Sequence, residues 1–161
     1  MTEEKRYRTA VAVVNKLIEK GWTISFAESC TGGMACARLV DVPNASKVLN
    51  ASFVTYANEA KESLLGVWSV TLERHGAVSE ETAYQMAAGV ARANKANVGV
   101  GITGIAGPGG GSEEKPVGTV CFGFSINGKL YTATEHFGDM GRKEVRQAAV
   151  DFVFTSLEEL L

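Results

Sequence analysis

Glu28-Ser29-Cys30-Thr31-Gly32-Gly33 sets a hydroxyl and a thiol side by side, directly before two glycines. Either group attacks an electrophilic carbon once its proton has somewhere to go. For Ser29 the usual His-Asp partner does not suggest itself. His75 precedes a helix-stopping Gly76, and His136 falls in a predicted late strand. Lysine can replace histidine where burial or a cationic neighbour depresses its pKa from about 10.4. Lys61 is the candidate, because it falls in the first turn of a predicted helix, where the dipole disfavours its charged form. Cys30 is the rival nucleophile, since a thiol at a helix N-terminus ionises readily. Simpler readings stand beside each of these: Ser29 as a helix N-cap, Lys61 as a solvated surface side chain, and Cys30 as a small buried hydrophobe.

The backbone around these residues is a second source of chemistry. A serine at a strand-to-helix turn is followed by N–H groups, here those of Thr31, Gly32 and Gly33, that can hold an oxyanion or a phosphate. Gly101 to Gly111 holds six glycines in eleven residues, so a chain segment there can approach a ligand closely. Gly99-Val100-Gly101-Ile102-Thr103-Gly104 has the spacing of a dinucleotide fingerprint. Its glycines lie inside a predicted strand and a Gly-Pro loop follows, whereas the fingerprint needs a strand before it and a helix after it. No Gly-Lys-Ser or Gly-Lys-Thr follows, so a Walker A loop is absent. Ser112-Glu113-Glu114-Lys115 fits an SxxK pattern, but the glycines before it and Pro116 after it favour a solvated loop over the required helical turn. Lys115 remains a contact for an anionic ligand. Arg142 and Arg146 stand four residues apart on a predicted helix, where they form either a clamp for phosphate or carboxylate or a solvated basic stripe.

The elements that must position these residues follow from periodicity and punctuation. Glu3 to Lys20 spaces Val11, Val14, Leu17 and Ile18 as a helix, with Thr2 as cap and Gly21 as stop. Thr23 to Ala27 predicts a strand, Cys30 to Val40 a helix, and Val48 to Tyr56 a second strand. Asn58 is placed to cap a short helix over 59–65 ended by Gly66, and a helical turn is expected over Thr71 to Arg74. Ser79 opens a longer helix to about Asn94, with Ala83, Met86, Ala87, Val90 and Ala91 on its apolar side. Asn97 to Ile105 is a buried strand. Strands over 118–126 and 130–137 flank Asn127-Gly128, the strongest short hairpin signal. Arg142 to Leu161 closes the chain as a helix with Val145, Ala149, Phe152, Val153, Leu157 and Leu160 on one face. Alternating strands and helices followed by a hairpin predict an α/β fold, a three-layer α/β/α sandwich with a mixed sheet, in one domain over 1–161.

Composition narrows the function classes. Of 161 residues, 45% are apolar and 21% charged, which suits a folded chain. Sixteen basic against eighteen acidic residues give a formal charge of −2, so no nucleic-acid partner is expected. No apolar stretch reaches the roughly 18 to 20 residues of a membrane span, and Met1 to Arg6 lacks a signal peptide's apolar core, so no membrane partner and a cytoplasmic location are expected. Cys30, Cys36 and Cys121 lack paired spacing and are expected as free thiols, and two separated histidines give no metal site. An apolar closing helix leaves room for a homodimer or higher homo-oligomer.

Taken together, 27–33 (AESCTGG), 55–61 (TYANEAK), 75–79 (HGAVS), 104–108 (GIAGP) and 115–120 (KPVGTV) resemble the CinA C-terminal domain family, in the same order and with similar spacing over nearly the whole chain. The family's single-domain members are nicotinamide-nucleotide amidohydrolases. The resemblance implies hydrolysis of the carboxamide of nicotinamide mononucleotide to nicotinic acid mononucleotide and ammonia, in pyridine-nucleotide recycling, with no metal or organic cofactor. It implies Ser29 as nucleophile and Lys61 as general base, with Tyr56 and Thr103 as supporting groups and Arg142 as a substrate contact. Lys115, Gly104 and Gly107 join them only through proximity of the glycine-rich loop. One departure is Gly138-Asp139-Met140-Gly141-Arg142, where the family pattern sets an acidic residue directly before the arginine. The pyrophosphatase activity of the molybdopterin-binding-like domain in longer members is not assigned to these residues. Two other functions fit less of the sequence: an amidase using Cys30, and a nucleotide-binding module of the same fold without turnover.

Overall fold

The segment Ile24-Ser25-Phe26-Ala27 forms a strand covered on both faces, and β1 (Ile24–Glu28) is buried at every position, with the Ser25 hydroxyl satisfied by the Ala51 carbonyl. In the computed structural model, which describes residues 1–161, β1 lies between two parallel neighbours, β2 (Phe53–Val54) and β3 (Val98–Gly104). The sheet then continues antiparallel through β4 (Thr119–Ile126) and β5 (Lys129–His136), in the order β2-β1-β3-β4-β5. Asn127 and Gly128, at φ 50° and 88°, make the tight turn between the last two strands, as their sequence predicts. Helices α1 (Glu3–Lys20), α2 (Met34–Val40) and α6 (Arg142–Leu160) cover one face. Helices α3 (Asn58–Leu65), α4 (Ser69–His75) and α5 (Glu80–Ala93) cover the other. This is the expected three-layer mixed α/β architecture, and no helix is long and apolar enough to cross a membrane.

The larger core lies between the sheet and α1, α2 and α6, where Phe26 of β1 stacks near Phe154 of α6 with ring centroids 6.3 Å apart. The buried faces are rotated slightly from expectation. In α1, Ala10, Val13, Val14 and Leu17 are buried while Ile18 is exposed. In α6, Val150 and Phe154 are buried while Phe152 and Leu160 are only partly so. Leu, Val and Phe occur on both sides of these stripes, so a periodicity count alone cannot fix the rotation.

Three element boundaries differ from the sequence reading, and each difference has a local cause. Helix α2 starts at Met34 instead of Cys30, because Gly32 and Gly33 take φ 59° and 102°, left-handed values that a right-handed helix cannot include. The predicted second strand over 48–56 shrinks to two residues. Ser52 Oγ accepts the Phe26 N–H at 2.9 Å and the Ala51 carbonyl accepts from Ser25 Oγ at 2.6 Å, so side chains replace the ladder there. Asn58 makes no side-chain cap bond; α3 already includes it, with Ala57 as the capping position.

The glycines that imitate a dinucleotide fingerprint serve packing. A Cβ at Gly101 would lie 2.5 Å from the Ala83 carbonyl oxygen and 2.9 Å from Met86 Cβ, so α5 can rest on β3 only if this side chain is absent. Gly101→Ala should lower unfolding free energy by about 1–3 kcal/mol through this overlap. Gly109→Ala, where a Cβ meets nothing within 4 Å, should stay within about 0.5 kcal/mol of the parent, both read from urea unfolding.

Candidate active site

The carboxyl ends of parallel β1 and β3 lie side by side, and the chain leaves them through two loops that form the walls of a crevice. Ser29 follows β1 directly. Its N–H donates to the Ile102 carbonyl of β3 at 2.9 Å, while the Thr55 N–H donates to the Glu28 carbonyl at 2.9 Å, which extends the sheet's hydrogen bonding to the edge of the crevice. Beyond Ser29 the chain turns sharply, the Gly32 N–H donating back to the Ser29 carbonyl at 3.1 Å. The Glu28 carboxylate, 1% exposed, secures this turn from below. It accepts from Thr31 Oγ1 at 2.7 Å and from the Ala35 and Cys36 N–H groups at 2.9 and 3.0 Å. A buried carboxylate thus satisfies first-turn donors of α2 that an N-cap side chain would otherwise take.

Lys61 comes from α3 on the opposite wall and is 1% exposed. Its Nζ lies 3.1 Å from Ser29 Oγ and donates to the Thr55 carbonyl at 2.8 Å and to the Tyr56 carbonyl at 3.1 Å. None of the ion pairs in the structure includes it. Burial without a carboxylate disfavours the ammonium form, so the Lys61 pKa lies below its ordinary value. The two carbonyls can only accept, and they therefore fix two N–H directions of the amine. In the neutral amine the third direction, toward Ser29 Oγ, carries the lone pair.

Ser29, Cys30, Tyr56, Lys61, Thr103, Gly104, Gly107 and Arg142 all line one crevice of about 270 Å³. Arg142, at the start of α6, donates to the Gly107 carbonyl at 2.7 Å and to the Tyr56 hydroxyl at 3.0 Å, joining the glycine-rich loop to the other wall. Thr103 Oγ1 donates to the Ala77 carbonyl at 2.7 Å and so supports the wall.

Other residues singled out in the sequence lie elsewhere. Thr31 is fully buried with its hydroxyl committed to Glu28, and Gly32 and Gly33 do not line the crevice; the Gly32 N–H is already spent on Ser29. The N–H groups of Cys30, Thr31 and Gly33 have no protein acceptor, because the chain turns before α2 begins, and of these three residues Cys30 lines the crevice. Ser29 is accordingly not an N-cap; Gly33 occupies that position. Lys115 lines a separate polar groove with Arg74 and His136, and its Nζ donates to the His75 carbonyl. Cys30 sits four residues ahead of α2, gains no helix-terminal stabilisation, and burial pushes its thiol up to about 12. Arg146 donates to the carbonyls of Cys30 and Thr31 at 2.9 and 3.2 Å, so the arginine pair holds backbone on both sides of the crevice and does not form a bare anion clamp. Glu28 had no assigned part in the sequence reading, and Arg146 entered it only with Arg142, as half of an anion clamp or of a solvated basic stripe. The signal available for Glu28 was a carboxylate ending an otherwise apolar buried strand. No group of three or more His, Cys, Asp and Glu side chains converges to hold a metal ion.

A model of the CinA C-terminal domain matches residues 6–161. The chain belongs to this family. Along its full length it is 47% identical to the nicotinamide-nucleotide amidohydrolase PncC of Enterobacter agglomerans, 99% of which is covered. It is 48% identical to a CinA-like protein of Kosmotoga olearia over 92% of the chain, but spans only 37% of that longer relative. Among solved structures, a CinA superfamily protein from Escherichia coli superposes with a TM-score of 0.95 at 36% identity, covering the whole chain and 94% of the other. The competence/damage inducible protein CihA of Agrobacterium tumefaciens does so at 0.89 and 43%, covering 96% and 93%.

The lowered pKa of Lys61 has a measurable consequence for stability. Unfolding returns the amine to its ordinary value near 10.5, so between the two pKa values the unfolded state binds more protons and stability rises with pH. The penalty is complete below the folded-state pKa and vanishes above 10.5. Urea unfolding of Lys61→Met and the parent should therefore show the parent gaining on the variant as pH rises through that window.

Proposed function

We propose that this protein hydrolyses the carboxamide of nicotinamide mononucleotide to nicotinic acid mononucleotide and ammonia in the cytoplasm, with residues 1–161 acting as one amidohydrolase unit. The observation that carries this reading is the 3.1 Å contact between the buried Lys61 Nζ and Ser29 Oγ. The full-length likeness to a nicotinamide-nucleotide amidohydrolase supports the choice of substrate.

The reaction follows from which groups can donate and which can accept. Ser29 Oγ attacks the carboxamide carbon while its proton passes to the neutral Lys61 amine. The Cys30 N–H, free of a protein acceptor on a residue that lines the crevice, receives the tetrahedral oxyanion. Lys61, now an ammonium held by two carbonyls, returns its proton to the departing nitrogen, and ammonia leaves an ester on Ser29. Water then attacks the ester as Lys61 takes its proton, and collapse restores the Ser29 hydroxyl and releases the carboxylate. Lys61 returns its proton to Ser29 Oγ in that collapse, and the proton of the new acid is taken up by the released ammonia, so carboxamide and water give carboxylate and ammonium.

The rest of the nucleotide acts through positioning. A pyridinium ring withdraws electrons from the carboxamide, and a phosphate held away from the reacting carbon supplies binding energy that orients it. Arg142 uses two of its five guanidinium donors on Gly107 and Tyr56, which leaves donors at the crevice mouth for an anion. Tyr56 serves twice: its carbonyl holds Lys61, and its hydroxyl holds Arg142.

Ammonia release from nicotinamide mononucleotide tests this directly. Ser29→Ala and Lys61→Met should each lose at least about 10³-fold in kcat, and the double variant should lose little more, because the pair acts as a unit. Cys30→Ala, which keeps the backbone N–H, retains turnover. Loss with Cys30→Ala and survival of Ser29→Ala would move the nucleophile to sulfur.

A further inference from the structure

Arg146 lies on α6 one turn beyond Arg142, and its guanidinium is turned toward backbone carbonyls, not toward the crevice. The bonds it starts can be followed peptide by peptide. Nη2 donates to the Thr31 carbonyl at 3.2 Å; the N–H of that same peptide, on Gly32, donates to the Ser29 carbonyl at 3.1 Å; the N–H of that next peptide, on Cys30, has no protein acceptor. Nε donates to the Cys30 carbonyl at 2.9 Å, and the N–H of that peptide, on Thr31, has no protein acceptor either. In a trans peptide the C=O and N–H point in opposite directions, so fixing one fixes the other. The two free N–H groups nearest the nucleophile, those of Cys30 and Thr31, thus terminate amide chains that begin on one guanidinium.

We propose that Arg146 is a positioning residue which, through these two amide chains, holds the turn after the nucleophile and aims and polarises the Cys30 N–H, on the crevice wall, as a donor to the developing oxyanion. Hydrogen bonds arranged head to tail strengthen one another, and a cation at the accepting end draws electron density away from each N–H in turn. Arg146 acts only through the backbone, and its planar fork reaches both carbonyls at once; a lysine ammonium is a single point that serves one of them well. Glu28 completes the arrangement from the other side by holding Thr31 Oγ1 and the start of α2. This role rests on the amidohydrolase reading, in which an oxyanion forms at Ser29.

The test compares the parent protein, Arg146→Lys and Arg146→Met in two ways. With nicotinamide mononucleotide, kcat should fall on the order of 10²-fold in Arg146→Met, the size of losing an oxyanion donor, and less in Arg146→Lys. KM should stay within about twofold, because the contact strengthens only in the transition state. In ¹H–¹⁵N spectra of the substrate-free proteins, the Cys30 and Thr31 amide protons should move upfield in the same order, while those of Ala35 and Cys36, bound by Glu28, stay in place. An unchanged kcat, a loss confined to KM, or unmoved Cys30 and Thr31 amides would overturn the proposal. Should Arg146→Met fail to fold, Arg146→Lys carries both readouts. A parent protein that releases no ammonia would refute the amidohydrolase reading and with it the catalytic role, whereas the amide shifts decide separately whether the two chains exist.

Discussion

Burying an amine without a counter-charge is unfavourable unless the amine is neutral and its N–H groups find acceptors. Lys61 meets that condition through the carbonyls of Thr55 and Tyr56, which are available because β2 ends at Val54 and the chain turns away from the sheet. A longer β2 would commit the Thr55 carbonyl to the ladder with β1. The two-residue strand, the side-chain bridges from Ser25 and Ser52 that replace its pairing, and the short α3 that delivers Lys61 all answer to this one constraint.

The opposite wall solves a different problem, that of holding a nucleophile at the end of a strand with its neighbouring N–H groups unspent. Helix α2 cannot begin at once, since its first turn would fold those donors away from Ser29. Left-handed Gly32 and Gly33 delay it, and the Glu28 carboxylate supplies the cap that the delay removes. Arg142 and Arg146 then join the two walls and the turn to α6, so the last helix of the chain locks a site built almost entirely from its first two-thirds.

Much of this was legible in the sequence. The order of elements, the hairpin at Asn127-Gly128 and the cap at Ser79 follow from local signals that depend on neighbours in the chain. So does the placing of Ser29 at the carboxyl end of a strand. The distance between Ser29 and Lys61 was not legible from spacing, because it depends on two strands pairing in parallel; the family resemblance brought the two residues together before the geometry did. Of the donors named from sequence, Thr31 and Gly33 are free of protein acceptors and Gly32 is not, and Cys30 was missed, because a Thr-Gly-Gly run does not reveal which peptide turns back on Ser29. Lys115 was drawn toward the site by its neighbours in sequence, but Pro116 and Gly118 carry the loop toward β4 and leave it beside His75.

Catalysis by this pair requires that Lys61 be a neutral amine when Ser29 attacks. Titrating Lys61 by NMR, with ¹³C at Cε as the reporter, and recording kcat/KM for nicotinamide mononucleotide across the same pH range tests it most directly. Lys61 should titrate below 10.5, and the rise of kcat/KM with pH should follow the same midpoint. A Lys61 that keeps its proton up to 10.5 while activity is already full at lower pH would contradict it.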